Sequence, residues 1–159
     1  MAVDTTKVPN RRKLHFATIE DILNDVEHLN QGKVKVRGNW SGGQILRHLS
    51  VVMNGSIDGV PLRFSWPLRL LGRAFKRRIL TKGMTPGFQI KGKAADTLVP
   101  EATSWEEGLA MFRQAVHRLQ TESKREPSPF FGPMTRAEWD QLHCRHAELH
   151  LSFLVPADG

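Results

Sequence analysis

The residues best placed to do chemistry are imidazoles. His146 and His150 stand four apart in the closing stretch Thr135 to Leu154, T-R-A-E-W-D-Q-L-H-C-R-H-A-E-L-H-L-S-F-L. On a helix that spacing puts both rings on one face, a turn apart, where they can converge on one ion, and His143 lies one turn earlier near the same face. An i,i+4 histidine pair suits a transition metal but needs a third ligand from elsewhere; the competing reading is a set of core histidines satisfied by hydrogen bonds. One chemistry is disfavoured by residue order. In the zinc-protease motif H-E-x-x-H the glutamate directly follows the first histidine, whereas Glu148 comes two after His146, about 200° around the helix.

A third ligand must come from another element, and His48 is the best candidate. It falls in the apolar stripe Ile45, Leu46, Leu49, Val52, Met53, Ile57 of a helix that Ser41 and Gln44 open with a capping box. Three further boxes mark helix starts: Thr18 with Asp21, Ser104 with Glu107 and Thr135 with Glu138. Each is followed by apolar residues at helical spacing. The last reads as one helix from Thr135 to Leu154, with Trp139, Leu142, Leu149 and Phe153 inward. Four capped amphipathic helices without a comparable alternating pattern predict an all-α fold, a four-helix bundle, in which inward side chains of helices two and four can meet.

Between helices two and three runs a long crossover. Ser65 and Pro67 open a shorter helix within it, apolar at Leu68, Leu71, Phe75 and Ile79 and basic at Arg69, Arg73, Arg77 and Arg78. Residues 88–100 read as extended, and K-V-K-V before Trp40 as extended without need of a sheet. Residues 1–16, polar and basic, read as a loose arm or an early surface segment. His117 reads as a surface residue and Cys144, about 100° from His143, as a bystander.

The chain, 159 residues with a formal charge of +7 and one cysteine, is most simply a single domain over 1–159. A lone thiol forms no internal disulfide, the first residues lack a signal-peptide run, and no segment approaches the roughly 20 apolar residues that cross a bilayer. A soluble cytoplasmic protein is expected, without a membrane as partner.

The stretches N-W-S-G-G-Q-I-L-R-H-L and P-F-F-G-P-M-T-R-A-E-W-D-Q-L-H-C-R-H-A-E-L-H-L-S-F-L resemble the DinB/YfiT-like superfamily, and within it an uncharacterised branch of unknown function, over residues 17–154. The resemblance implies an up-down-down-up four-helix bundle, often a homodimer, with a three-histidine metal site on His48, His146 and His150. Ser128 and Leu149 stand where the branch often has histidines, outside the three ligands. Such a site would hold one divalent transition metal, zinc, nickel, iron or manganese, with a coordination position open. The leading reading is a metal-dependent enzyme, most simply one that transfers or activates a low-molecular-weight thiol. His143 would then be a second-shell partner or proton shuttle, or an ordinary helix-surface histidine, and Arg69, Arg73, Arg77 and Arg78 would bind the substrate's carboxylates if their helix walls the site. The alternatives are a metal- or ligand-binding bundle without catalysis and, less favoured, a nucleic-acid module using the same arginines with Phe64, Trp66 and Phe75.

Overall fold

The computed structural model of the chain describes residues 2–87 and 99–157. Its elements in order are α1 (Ile19–Asn30), β1 (Val34–Val36), α2 (Gly42–Asp58), α3 (Trp66–Lys82), α4 (Trp105–Thr121), α5 (Arg136–Leu151) and β2 (Leu154–Pro156). Among the described residues the protein is therefore mostly helical, with five helices and one small sheet. The expected extended stretch falls on 88–98, outside the described residues, and on 99–100. No described helix is long and apolar enough to cross a membrane.

All four capping boxes close. The hydroxyls of Thr18, Ser41, Ser104 and Thr135 accept from the backbone N–H three residues on, and the side chains of Asp21, Gln44, Glu107 and Glu138 accept in return from the cap N–H. Each reciprocal pair satisfies two donors that the first turn would leave open. Ser65 differs. It occupies the cap position of α3 without a side-chain capping bond, and Pro67, which has no N–H to satisfy, helps to start that helix instead. Gly83, at φ 87°, ends it in a conformation that favours glycine.

One core joins α1, α2, α4 and α5 through Ile22, Leu46, Met53, Phe112, Leu119 and Leu151, each at most 1 % exposed. Burying a side chain of this size stabilises by about 1.5–3 kcal/mol, so this cluster dominates the fold. The tightest helix pair is α2 with α4. Glycine makes that approach possible: a Cβ on Gly43 would collide with the Ser104 carbonyl oxygen, and one on Gly108 would stand 2.5 Å from the Gly43 carbonyl oxygen. His48 sits one and a half turns along α2 from this crossing, so its position is set by a backbone contact. By contrast α3 packs on a separate cluster, Leu80 with Phe131, Trp139 and Leu142.

The closing helix is shorter than its pattern predicts. It ends at Leu151, and Leu154–Pro156 pairs antiparallel with Val34–Val36, Val36 opposite Leu154 and Val34 opposite Pro156. A β-branched residue and a proline after the helix favour extended backbone, and the K-V-K-V stretch supplies the partner strand. The first residues are also fastened. Arg12 forks onto both Asp25 carboxylate oxygens at 2.7 and 2.8 Å and donates to the Leu151 carbonyl, while Phe16 is buried. Of the two readings of the N-terminus, residues 11–16 take the second, a segment laid against α5.

Candidate metal centre

The fold brings His48 of α2 against His146 and His150 of α5, and the potential ligand nitrogens of the three all lie within 4.8 Å of one another. The ring centroids form a near-equilateral triangle of 4.6, 4.6 and 5.0 Å, with planes crossing at 60 to 84°. Each pair meets edge to face, an arrangement that packed rings also adopt without an ion, so the case for a shared centre rests on the nitrogens rather than on the ring angles.

The Nε2 atoms of His48 and His146 stand 3.2 Å apart. Two facing nitrogens are favourable only when they share a proton or a cation. Metal–nitrogen bonds of about 2.0–2.1 Å at tetrahedral angles place two ligand atoms about 3.3–3.4 Å apart, close to the observed separation. His150 completes a set of three. The donor chemistry fits as well. Burial depresses the His146 pKa well below its ordinary value, helped by the neighbouring imidazoles, and pushes that of His150 to about 3, helped by His48 and Arg11. Neutral imidazole is the form that ligates. Among the described residues no carboxylate or thiol joins the group, so an ion here would keep its full charge.

Two residues complete the surroundings, and neither was singled out in the sequence. Trp40, immediately before the Ser41 cap, lies parallel to His150 at 5.5 Å between centroids and 7° between planes, and 4.9 Å from His48. It walls one side of the cluster. Arg11 places its guanidinium 4.1 Å over the Phe153 ring and donates to Ser152 Oγ and the Leu149 carbonyl. The end of α5 favours such a cation through its exposed carbonyls, and the charge reaches His150. An aromatic before a cap and an arginine in a polar N-terminal stretch are common features, so neither spacing nor type marks them.

His143 is not the helix-surface histidine of one reading. It is 1 % exposed, stacked on Trp139 at 5.5 Å and bonded to Ser56 at 3.1 Å, outside the three-histidine group. Ser56 Oγ donates to the Met53 carbonyl, so the imidazole must donate from Nε2, which leaves its buried Nδ1 without a partner among the described residues. Burial, with the Arg125 charge, holds it neutral with a pKa near 3. Cys144 is buried and pushed up to about 11 by that burial, an inert thiol. His117 is exposed.

Arg69, Arg73, Arg77 and Arg78 are all exposed on α3. Among the described residues, none of them is bonded to His146 or His150. Arg73 instead crosses Gly132, and among the described residues the only ion pair of α3 runs from Lys76 to Glu138 at 2.7 Å. Ser128 organises the turn at 128–132, its hydroxyl accepting from the N–H of Phe130 and Phe131.

A family model described as a protein of unknown function (DUF1569) matches residues 8–157, and the chain belongs to that family. No curated protein and no solved structure matches it.

Proposed function

We propose that the chain is a divalent-metal-dependent enzyme whose ion is held by His48, His146 and His150, within a four-helix bundle of the DinB/YfiT-like kind formed by α1, α2, α4 and α5. One observation carries this reading: three imidazoles from two helices converge, with one Nε2 pair already at a separation close to that of ligands on a shared metal. A bound ion would supply Lewis acidity, lowering the pKa of a water or thiol brought to it.

The chain's own residues favour a small anionic or thiol substrate. Three neutral ligands cancel none of the ion's charge, and Arg11 adds a fixed cation beside His150. Trp40 supplies an apolar wall against which the carbon skeleton of a small molecule can rest. Arg11 is therefore a better candidate for a substrate carboxylate than the α3 arginines, since its charge acts on the cluster itself. A low-molecular-weight thiol combines the soft ligand and the carboxylate that these groups would bind.

Cobalt-substituted protein tests the proposal. Its visible spectrum should change on adding a small thiol, with saturation at millimolar concentration or below, and Arg11→Gln should weaken the response for a carboxylated thiol more than for an uncharged one. A spectrum unmoved by thiols would overturn the thiol assignment while leaving the metal site to be judged by its stoichiometry.

A further inference from the structure

The charge of the chain is concentrated in one place. No Asp or Glu occurs between Gly59 and Ala95, and nine of the 23 Lys and Arg residues fall there. The rest of the chain has 14 cations against 16 acidic residues and is slightly acidic. Helix α3 contains six of the nine, Arg69, Arg73, Lys76, Arg77, Arg78 and Lys82. Among the described residues, only Lys76 of these six is paired to an acid, Glu138.

Among the described residues, the same helix holds the largest exposed apolar side chains. Trp66 is 76 % exposed, Leu70 61 %, Leu71 49 % and Phe75 46 %. On the other side Gly72 lies against the Phe130 backbone and Leu80 enters the Phe131–Trp139–Leu142 cluster, so α3 is anchored by one face and bare on the rest. Its outward apolar groups lie in the first two and a half turns and its densest cations, Lys76 to Arg78 and Lys82, in the last two. An isolated exposed leucine needs no explanation; four large apolar residues exposed on one helix do.

We propose that α3 docks the protein on an anionic lipid surface, its N-terminal apolar residues entering the headgroup boundary and its C-terminal cations meeting lipid phosphates. Three features favour this occupant. The face is cationic and lacks acids, which complements an anionic surface and opposes packing on a second copy of itself, where like charges would meet. Its apolar part is largely aliphatic, at Leu68, Leu70 and Leu71; such side chains gain from hydrocarbon and do not stack on bases. Trp66, the most exposed large apolar residue among those described, is of the type enriched at the membrane boundary. The proposal concerns lying on a bilayer rather than crossing one, and it is independent of the histidine cluster.

Flotation of the full chain with vesicles tests it. The protein should float with vesicles of phosphatidylcholine containing about one third phosphatidylglycerol, not with phosphatidylcholine alone, and should be released near 0.5 M salt, where exposed charges are screened within about 4 Å. Arg77→Glu with Arg78→Glu should lower partitioning by about 30-fold or more, since each cation near such a surface contributes about fivefold. Leu70→Ser with Phe75→Ser should lower it while leaving helical circular dichroism unchanged, because both sites are exposed. Trp66 fluorescence, isolated by difference from Trp66→Phe, should be quenched by brominated lipid. Absence of flotation with anionic vesicles at low salt would overturn the proposal, as would parental partitioning by both double variants. An oligonucleotide bound through Arg77 and Arg78, or self-association lost in Leu70→Ser with Phe75→Ser, in either case without lipid partitioning, would reassign the face.

Discussion

Trp40 and His150 lie face to face, 5.5 Å between ring centroids and 7° from parallel, although 110 positions separate them in the sequence. The contact ties the start of α2 to the end of α5 at the point where the three imidazoles meet. Cobalt bound there should quench Trp40 fluorescence, and Trp40→Phe should remove the metal-sensitive part of the emission. Trp40→Ala should destabilise the protein by about 2 kcal/mol, less than for a fully buried tryptophan, since this one is partly exposed. Emission that ignores cobalt in the parent protein would contradict the placement of the site.

The pH dependence of the metal-free protein follows from the same burial. His143 and His150 have pKa values near 3 when folded, and His146 is also held well below its ordinary range. In the unfolded chain each returns to about 6.5. A group whose folded pKa lies below its unfolded one contributes stability that is present above the unfolded value. That stability is lost as pH falls from about 6.5 toward the folded pKa. Urea titrations should therefore show stability declining below pH 6.5, by up to about 1.4 kcal/mol per pH unit for each histidine. His143→Phe should reduce the slope, and a stability flat between pH 6.5 and 4.5 would contradict the buried neutral assignment.

Gly43 tests how the site is aligned. A Cβ there meets the Ser104 backbone, which cannot rotate away as a side chain would. Gly43→Ala should cost about 2–3 kcal/mol in urea denaturation. It should also weaken metal binding by moving α2, and with it His48, away from α5. Gly32→Ala, where a Cβ meets nothing within 4 Å, is the control and should leave binding unchanged.

The fastening of the N-terminal segment has a testable cost. Arg145 is 6 % exposed and donates to Glu148 at 2.9 Å and to the Phe16 carbonyl, while Glu148 accepts from the Phe16 N–H at 2.7 Å. Arg145→Met leaves the Glu148 carboxylate without its buried cation and should destabilise by about 3–5 kcal/mol. Limited proteolysis should then cut near residues 10–16. Resistance equal to that of the parent protein would show that this network does not hold the segment.

Much of this arrangement was legible in local pattern. The four capping boxes fall where Thr18, Ser41, Ser104 and Thr135 predict them, because a cap is an interaction within four residues. The i,i+4 relation of His146 and His150 is equally local, and His48 was reachable because it shares a stripe with Leu49 and Ile45. What lay beyond reach depends on distant partners. The end of α5 at Leu151 is decided by a strand more than a hundred residues earlier. Likewise Trp40 and Arg11 gain meaning only once α5 lies beside them. The partners of His143 are equally distant: it stands one turn from His146, but its contacts with Ser56 and Trp139 include one across to α2 that no local spacing predicts.

Metal stoichiometry tests the central claim most directly. Untagged protein purified without chelators should carry, or take up on reconstitution, about one equivalent of a divalent transition metal. A His146→Ala, His150→Ala double variant should carry none while keeping its helical circular dichroism. An excess of ion at about 100 times its dissociation constant should further stabilise the parent protein by about 2.7 kcal/mol and leave the variant unmoved. A parent protein that binds no metal after reconstitution, or a double variant that binds as much as the parent, would contradict the assignment and leave the three imidazoles as core residues sharing a proton.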